Sequence, residues 1–192
     1  MYKVYVFFIS LLFCLPSVFA QSDRVKLKYV EPPGDEVIMY HYGVKLSGPF
    51  QNKYGTIRMV HCVKGETTVT VLNEKPFALT DTVQFLDFQA HPYKRDSVRI
   101  SILPAIADEI QLKMEDTLHD ILMETFSEKG YILTDTIPIM AFSTGVKYKT
   151  ISEGKEVEGI SLCNLRNARK HPSKWYELFD IQNYIYFELL IE

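Results

Sequence analysis

The chain is short of most residues and spacings that announce chemistry. Its 192 residues include three cysteines, one tryptophan and five histidines. No CxxC pair occurs, and no His or Cys spacing fits a zinc site. His41, His61, His91, His119 and His171 are scattered, and no GxSxG elbow accompanies them. The residues therefore supply no catalytic assignment, no metal site and no cofactor. Charge of one sign is also lacking: 21 basic residues against 24 acidic ones give a net charge of −3, which argues against a nucleic-acid partner. Beyond the N-terminus there is no apolar run of the about 20 residues a membrane span needs. No linker rich in Gly, Ser or Pro divides the chain.

What is present begins with an apolar run. Lys3 precedes Val4–Leu15, Pro16 breaks it, and Val18 and Ala20 are small enough for the −3 and −1 positions of a signal-peptidase site. Residues 1–20 read as a removed signal peptide, with Gln21 starting a single globular domain over 21–192. A lipid-anchored start at Cys14 is disfavoured, because bulky Phe13 stands where lipidation signals place a small residue. The ending Phe19-Ala20-Gln21-Ser22 resembles export signals of Bacteroidetes-type bacteria. Removal of the signal takes Cys14 away and leaves Cys62 and Cys163. In an oxidising periplasmic or secreted setting the expected outcome is one disulfide between them.

Period-2 patterning then dominates. VKLKYV (25–30), TIRMVHCV (56–63) and TTVTVL (67–72) alternate, with Lys64-Gly65-Glu66 as a turn between the last two. TVQFLDFQA (82–90) and SVRISIL (97–103) read as a hairpin around HPYKRD (91–96). In YIYFELLIE, Ile185, Phe187, Leu189 and Ile191 face one way, and Tyr184, Tyr186 and Glu188 the other. Residues 107–128 break the pattern: Ile110, Met114, Leu118, Ile121, Leu122 and Thr125 form a 3.6-period stripe, predicting an amphipathic helix. Leu112 lies off that stripe, so EIQLKM is also compatible with a strand. A second short helix is expected near 173–180, where Ser173 offers an N-cap, after a loop at 166–172. The fold class is α+β, mainly antiparallel sheet, sandwich-like or single, with one wet face.

Two stretches nearly repeat. NEKPFALTDTVQFLDF (73–88) and SEKGYILTDTIPIMAF (127–142) share seven of sixteen positions. A paired aspartic-protease motif is disfavoured by the turn it would need. The residue after Asp-Thr is β-branched Val83 or Ile137, where that chemistry needs a glycine turn. Asp96-Ser97-Val98 repeats the same plan a third time. D-[ST]-[VI] thus reads as strand-entry grammar: Asp satisfies local amides and β-branched residues favour extension. Pro138 puts the second copy's strand at an edge or a bulge.

Candidate sites are few. Glu115, Asp116, His119, Asp120 and Glu124 read as a charged outer helix face. His61 reads as a hydrogen-bonded core histidine. The functional hint is aromatic: Tyr40 and Tyr42 share a face, and Trp175-Tyr176 stands beside the basic residues Arg166, Arg169 and Lys170. Such rings with nearby charge can stack sugars or anchor a protein. The expectation is an exported, non-enzymatic binding protein of the cell envelope with a protein or glycan ligand. The alternative is an envelope hydrolase assembled from distant residues. A cleft gathering His61 or His119 with two acids would mark the hydrolase, and a flat aromatic patch the binding protein. Intact-mass analysis of the native protein checks the export reading: the expected species starts at Gln21, and a diacylated species starting at Cys14 would contradict it.

Overall fold

The computed structural model describes residues 23–30, 41–80, 82–94, 96–113, 121–125 and 130–192. The fold is α+β and mostly antiparallel sheet. The strands are β1 (Arg24–Val30), β2 (His41–Ser47), β3 (Tyr54–Val63), β4 (Glu66–Val71), β5 (Phe77–Ala78), β6 (Val83–Lys94) and β7 (Ser97–Leu103). After them come β8 (Ile106–Lys113), β9 (Ile121–Met123), β10 (Tyr131–Ile132), β11 (Ile137–Ser143), β12 (Val146–Ser152) and β13 (Lys155–Ser161). Helix α1 (Leu162–Ala168), a 3₁₀ turn (Pro172–Lys174), α2 (Trp175–Phe179) and β14 (Asn183–Ile191) complete the order. One sheet runs β10-β1-β2-β6-β7-β8 and the second β4-β3-β14-β11-β9, with β5 also on β3. Strands β12 and β13 form a separate hairpin.

The alternating patterns place one core between the sheets. Val44, Leu46, Leu86, Phe88, Ile100 and Ile102 point inward from the first sheet, and Ile57, Met140, Phe142, Ile185, Phe187 and Leu189 from the second. The first sheet's other face is wet. The second sheet's is covered across β3, β14 and β11, where Leu165, Trp175 and Ile181 of the helical layer pack on Val60, Cys62, Ala141, Tyr184 and Tyr186, while edge strand β4 is exposed. The expected split of β14 into two faces is met, with both faces buried.

The near-repeat is a sheet-crossing unit. Phe77 and Ala78 of the first copy pair with Gly55 and Tyr54, in the second sheet, before the chain crosses and enters the first sheet as β6. The aligned Tyr131 and Ile132 of the second copy pair with Val25 and Arg24, in the first sheet, before the chain enters the second as β11. The match extends to single bonds. The Leu79 amide donates to the carbonyl of Lys53, just before β3, at 3.0 Å. The Leu133 amide donates to that of Asp23, just before β1, at 2.8 Å. Strands begin at or directly after the Ser or Thr of these motifs, at Ser97, Val83 and Ile137. Asp135 holds its turn by accepting from the Ile132 amide at 2.8 Å, and Asp81 lies outside the described residues.

Polar side chains pin these crossings. Buried Asn73 accepts from the Ile57 amide at 2.7 Å and donates to the carbonyls of Lys75 (2.8 Å) and Gly55 (3.3 Å). The Pro138 signal is a bulge: the β11–β14 register shifts between Pro138 and Met140. The freed carbonyls are used. Thr125 Oγ1 donates to Pro138 at 2.7 Å, and the Tyr29 hydroxyl of the other sheet lies 3.0 Å from the Ile139 carbonyl and 2.8 Å from that of Thr125.

Two expectations are corrected. The helix at 107–128 is not formed where the chain is described, since 106–113 and 121–123 are strands. Pairing with β7 overrides the helical stripe: Ile110 and Leu112 pack on the core, while Glu109, Gln111 and Lys113 are exposed. Residues 114–120 and 126–129, with Glu115, Asp116, His119 and Asp120, lie outside the described residues. The Cys62–Cys163 disulfide is absent, and both cysteines are free. Cys62 is buried beneath the helices with Val60, whereas α1 turns Leu165 inward and leaves Cys163 exposed. Ser161 caps that helix by accepting from the Asn164 amide at 3.1 Å, and the helix replaces part of the expected loop.

Replacing Asn73 by Ala orphans the buried Ile57 amide, so Asn73→Ala should lower stability by about 1–3 kcal/mol. Chemical denaturation checks this, and the two sheets should still melt in one transition because they share a core.

Candidate functional site: the open face of the first sheet

The residues picked from sequence are not brought together. Tyr40 lies outside the described residues. Tyr42 packs half-buried on the inter-sheet core. Trp175 is a core residue at 2% exposure, its Nε1 donating to the Lys170 carbonyl at 3.0 Å and its ring 5.5 Å from that of Tyr184. Tyr176 stands half-exposed against Gly65. Arg166, Arg169 and Lys170 lie on the surface of the helical layer, with Arg166 pairing to Glu124 at 3.4 Å. Tyr42 therefore packs on the inter-sheet core, away from the other five aromatic and basic positions, which lie around α1 and α2.

The histidines do not assemble a hydrolytic centre among the described residues. His61 bonds the amide oxygen of Asn183 at 2.8 Å, not a carboxylate. His41 meets Asp87 at 2.6 Å, and Gln89 donates to the same carboxylate at 2.9 Å. The nearest hydroxyl in that row, Ser101, is two strands away from His41, about 9–10 Å between backbones. No group of three His, Cys, Asp or Glu side chains among the described residues is arranged to hold a metal.

The wet face of the first sheet carries a different arrangement. Alternation along β6 turns Gln84, Leu86, Phe88 and Ala90 inward and Val83, Phe85, Asp87 and Gln89 outward. The register then sets Lys28 opposite Lys45 and Lys45 opposite Phe85, one row across three strands. Lys26 lies in the next row, opposite Ser47. Gly43 makes room for the ring: a Cβ there would stand 2.6 Å from Phe85, so the ring lies over the glycine backbone, 48% exposed. Val83 and Val30 extend the apolar patch.

Charge on this face is segregated. Among the described residues no carboxylate pairs with Lys26, Lys28 or Lys45, while Asp87 is held by His41 and Gln89. At the far end Arg99 stacks 3.7 Å from the Tyr93 ring centroid and faces Glu109 at 3.6 Å. Like charges directly across a strand pair are destabilising by about 0.2–1 kcal/mol. Lys28 and Lys45 therefore stand at a cost that an anion lying between them would remove.

Two shallow concavities of about 540 and 550 Å³ lie elsewhere. One is on the β12–β13 hairpin beside Tyr148, and the other lies between Asn73–Lys75 and Ala105–Ile110. Comparison of the chain with protein-family models, with curated proteins and with solved structures finds no match in any of the three.

The sequence signal for the open face was there in TVQFLDFQA, whose outward residues include an aromatic ring. It had no partner in sequence, because Lys28 and Lys45 join it only through register. The helical layer contributes a pH response instead. His171 caps the 3₁₀ turn, its Nδ1 accepting from the Ser173 amide at 3.2 Å, and its ring meets Tyr186 edge-on at 6.0 Å. Burial lowers its pKa below the ordinary histidine value, and the nearby Glu188 charge only partly offsets this. The unfolded chain then takes up the proton first as pH falls, so stability is intact above the ordinary histidine pKa and is lost as pH falls toward the folded value. Urea midpoints measured between about pH 7 and pH 5 should fall in the wild type, and His171→Asn, which caps without titrating, should flatten that slope.

Proposed function

We propose that the chain is an exported, non-enzymatic binding protein whose open sheet face takes an anionic glycan. The observation that carries this reading is the row Lys28–Lys45–Phe85. It sets a planar, exposed ring beside two ammonium groups that no carboxylate among the described residues pairs with. The ring face suits the C–H face of a sugar, and the lysines suit its carboxylate or sulfate. Three adjacent strands span about 10 Å, the length of about two sugar residues. An acidic peptide would meet the same charges, but a flat ring lying on a glycine gives it no pocket for a side chain.

Export rests on the N-terminal apolar run and its Val18–Ala20 ending. No helix among the described residues is long and apolar enough to cross a membrane. The absence of a histidine with two acids in the described residues leaves the hydrolase reading without a supporting observation.

Titration with polygalacturonate and heparin, as carboxylate and sulfate probes, tests the proposal, with neutral dextran as control. Binding to an anionic probe is expected, weakening as salt is raised. Lys28→Glu with Lys45→Glu should abolish it, and Phe85→Ala should weaken it about tenfold with the fold intact by circular dichroism. Failure to bind either polymer, or unchanged binding by the charge-reversed variant, would overturn the reading.

A further inference from the structure

Beyond Val146, which packs against the layer over the second sheet, the β12–β13 hairpin projects from both cores. Residues 147–158 are exposed on both faces, and its strands pair with each other alone among the described residues. Ile151 is 77% exposed, and Tyr148, Val157 and Ile160 are also exposed. A lone two-stranded ribbon is marginal in water, and its free edges are templates for another strand. The turn at Glu153-Gly154, with φ of 52° and 76°, closes it tightly and fixes the register.

That register sorts charge by strand. Lys147 and Lys149 lie on β12, and Glu156 and Glu158 lie on β13 of the same ribbon face. Lys149 bonds both glutamates, at 2.8 and 3.2 Å. On that face the two edges are thus opposite in sign, and Lys155, at the start of β13, lies on the other face opposite Ser152. A second copy approaching with β12 against β12, or β13 against β13, meets like charge. A second copy presenting β13 to β12 repeats the existing ladder, giving each Lys149 a second pair of glutamates.

We infer that this hairpin is a self-association arm, docking the β13 edge of one copy on the β12 edge of the next. The contact is head-to-tail, so it grows into an open series of copies and does not close as a twofold dimer. Extending the ribbon sideways gives each arm the additional strands it lacks alone. The inference is independent of the ligand taken by the open sheet face.

Sedimentation velocity over a wide concentration range tests it. The wild type should show species beyond the dimer that increase with concentration. A monomer throughout, or a discrete dimer that grows no further, would overturn the inference. Lys147→Glu with Lys149→Glu makes both edges acidic, and Glu156→Lys with Glu158→Lys makes both basic. Each variant alone should associate about tenfold or more weakly, and mixing them should restore assembly. A chain carrying all four reversals keeps its opposite-sign ladder, so it should assemble with itself but not join the wild type. Wild-type-like assembly of either two-substitution variant, no assembly on mixing, or co-assembly of the fourfold variant with the wild type would each refute the head-to-tail contact.

Discussion

Everything in this molecule depends on the two sheets holding each other through reciprocal crossings. Each copy of the repeated stretch leaves a two-residue strand on the edge of one sheet and carries its long strand into the other. Phe77–Ala78 sits on β3 while β6 belongs to the first sheet, and Tyr131–Ile132 sits on β1 while β11 belongs to the second. In both sheets two strands separate the visiting short strand from the resident long one. The leucine of each Leu-Thr-Asp-Thr lies at the crossing against the shared core, with its amide tied to the chain just before the strand it leaves. Neither sheet can slide without breaking the edge that the other has lent it.

This arrangement was half legible in the amino-acid order. Strand positions were readable because side chains alternate, and β1, β3, β4, β6, β7 and β14 fall within a few residues of their sequence spans. The crossing was not readable, because Leu79 and Leu133 differ from any core leucine only in which backbone carbonyl their amides meet. The helix at 107–128 failed for a related reason. Ile110, Ile121 and Leu122 satisfy two periods at once, and strand pairing decides between them, β8 with β7 and β9 with β11. The cysteines misled through compartment logic, which says that a bridge is permitted and not that two side chains point at each other. Trp175 misled because the basic residues Arg166, Arg169 and Lys170 stand beside it in sequence, although its ring fills the layer over Tyr184.

The two sheets differ in what covers them, and that difference assigns their uses. The second sheet is covered on both sides along β14, with Glu188 buried against Arg58 at 2.6 Å and Tyr184 bonded to the Pro172 carbonyl at 2.8 Å, while its edge strand β4 is exposed. Burial raises the pKa of the phenols of Tyr184 and Tyr186 well above the ordinary tyrosine value, so they stay neutral donors and packing groups. The first sheet has one face left, and the lysines of β1 and β2 with the ring of β6 are spread on it. Scaffold and surface are thus divided by layer rather than by segment.

Strand β14 pairs with both β3 and β11 in the middle of the second sheet, and it follows every other described strand in the chain. Synthesis from the N-terminal side therefore delivers this central strand after every other described strand. Until Asn183–Ile191 emerges, β3 and β11 have an unfilled gap between them, and the inward residues Ile57, Met140 and Phe142 lack Ile185, Phe187 and Leu189 to pack against. Most of the contacts that define the core are long-range in sequence, a topology that folds slowly. Closure of the core is thereby deferred until Asn183–Ile191 is available, after every other described strand.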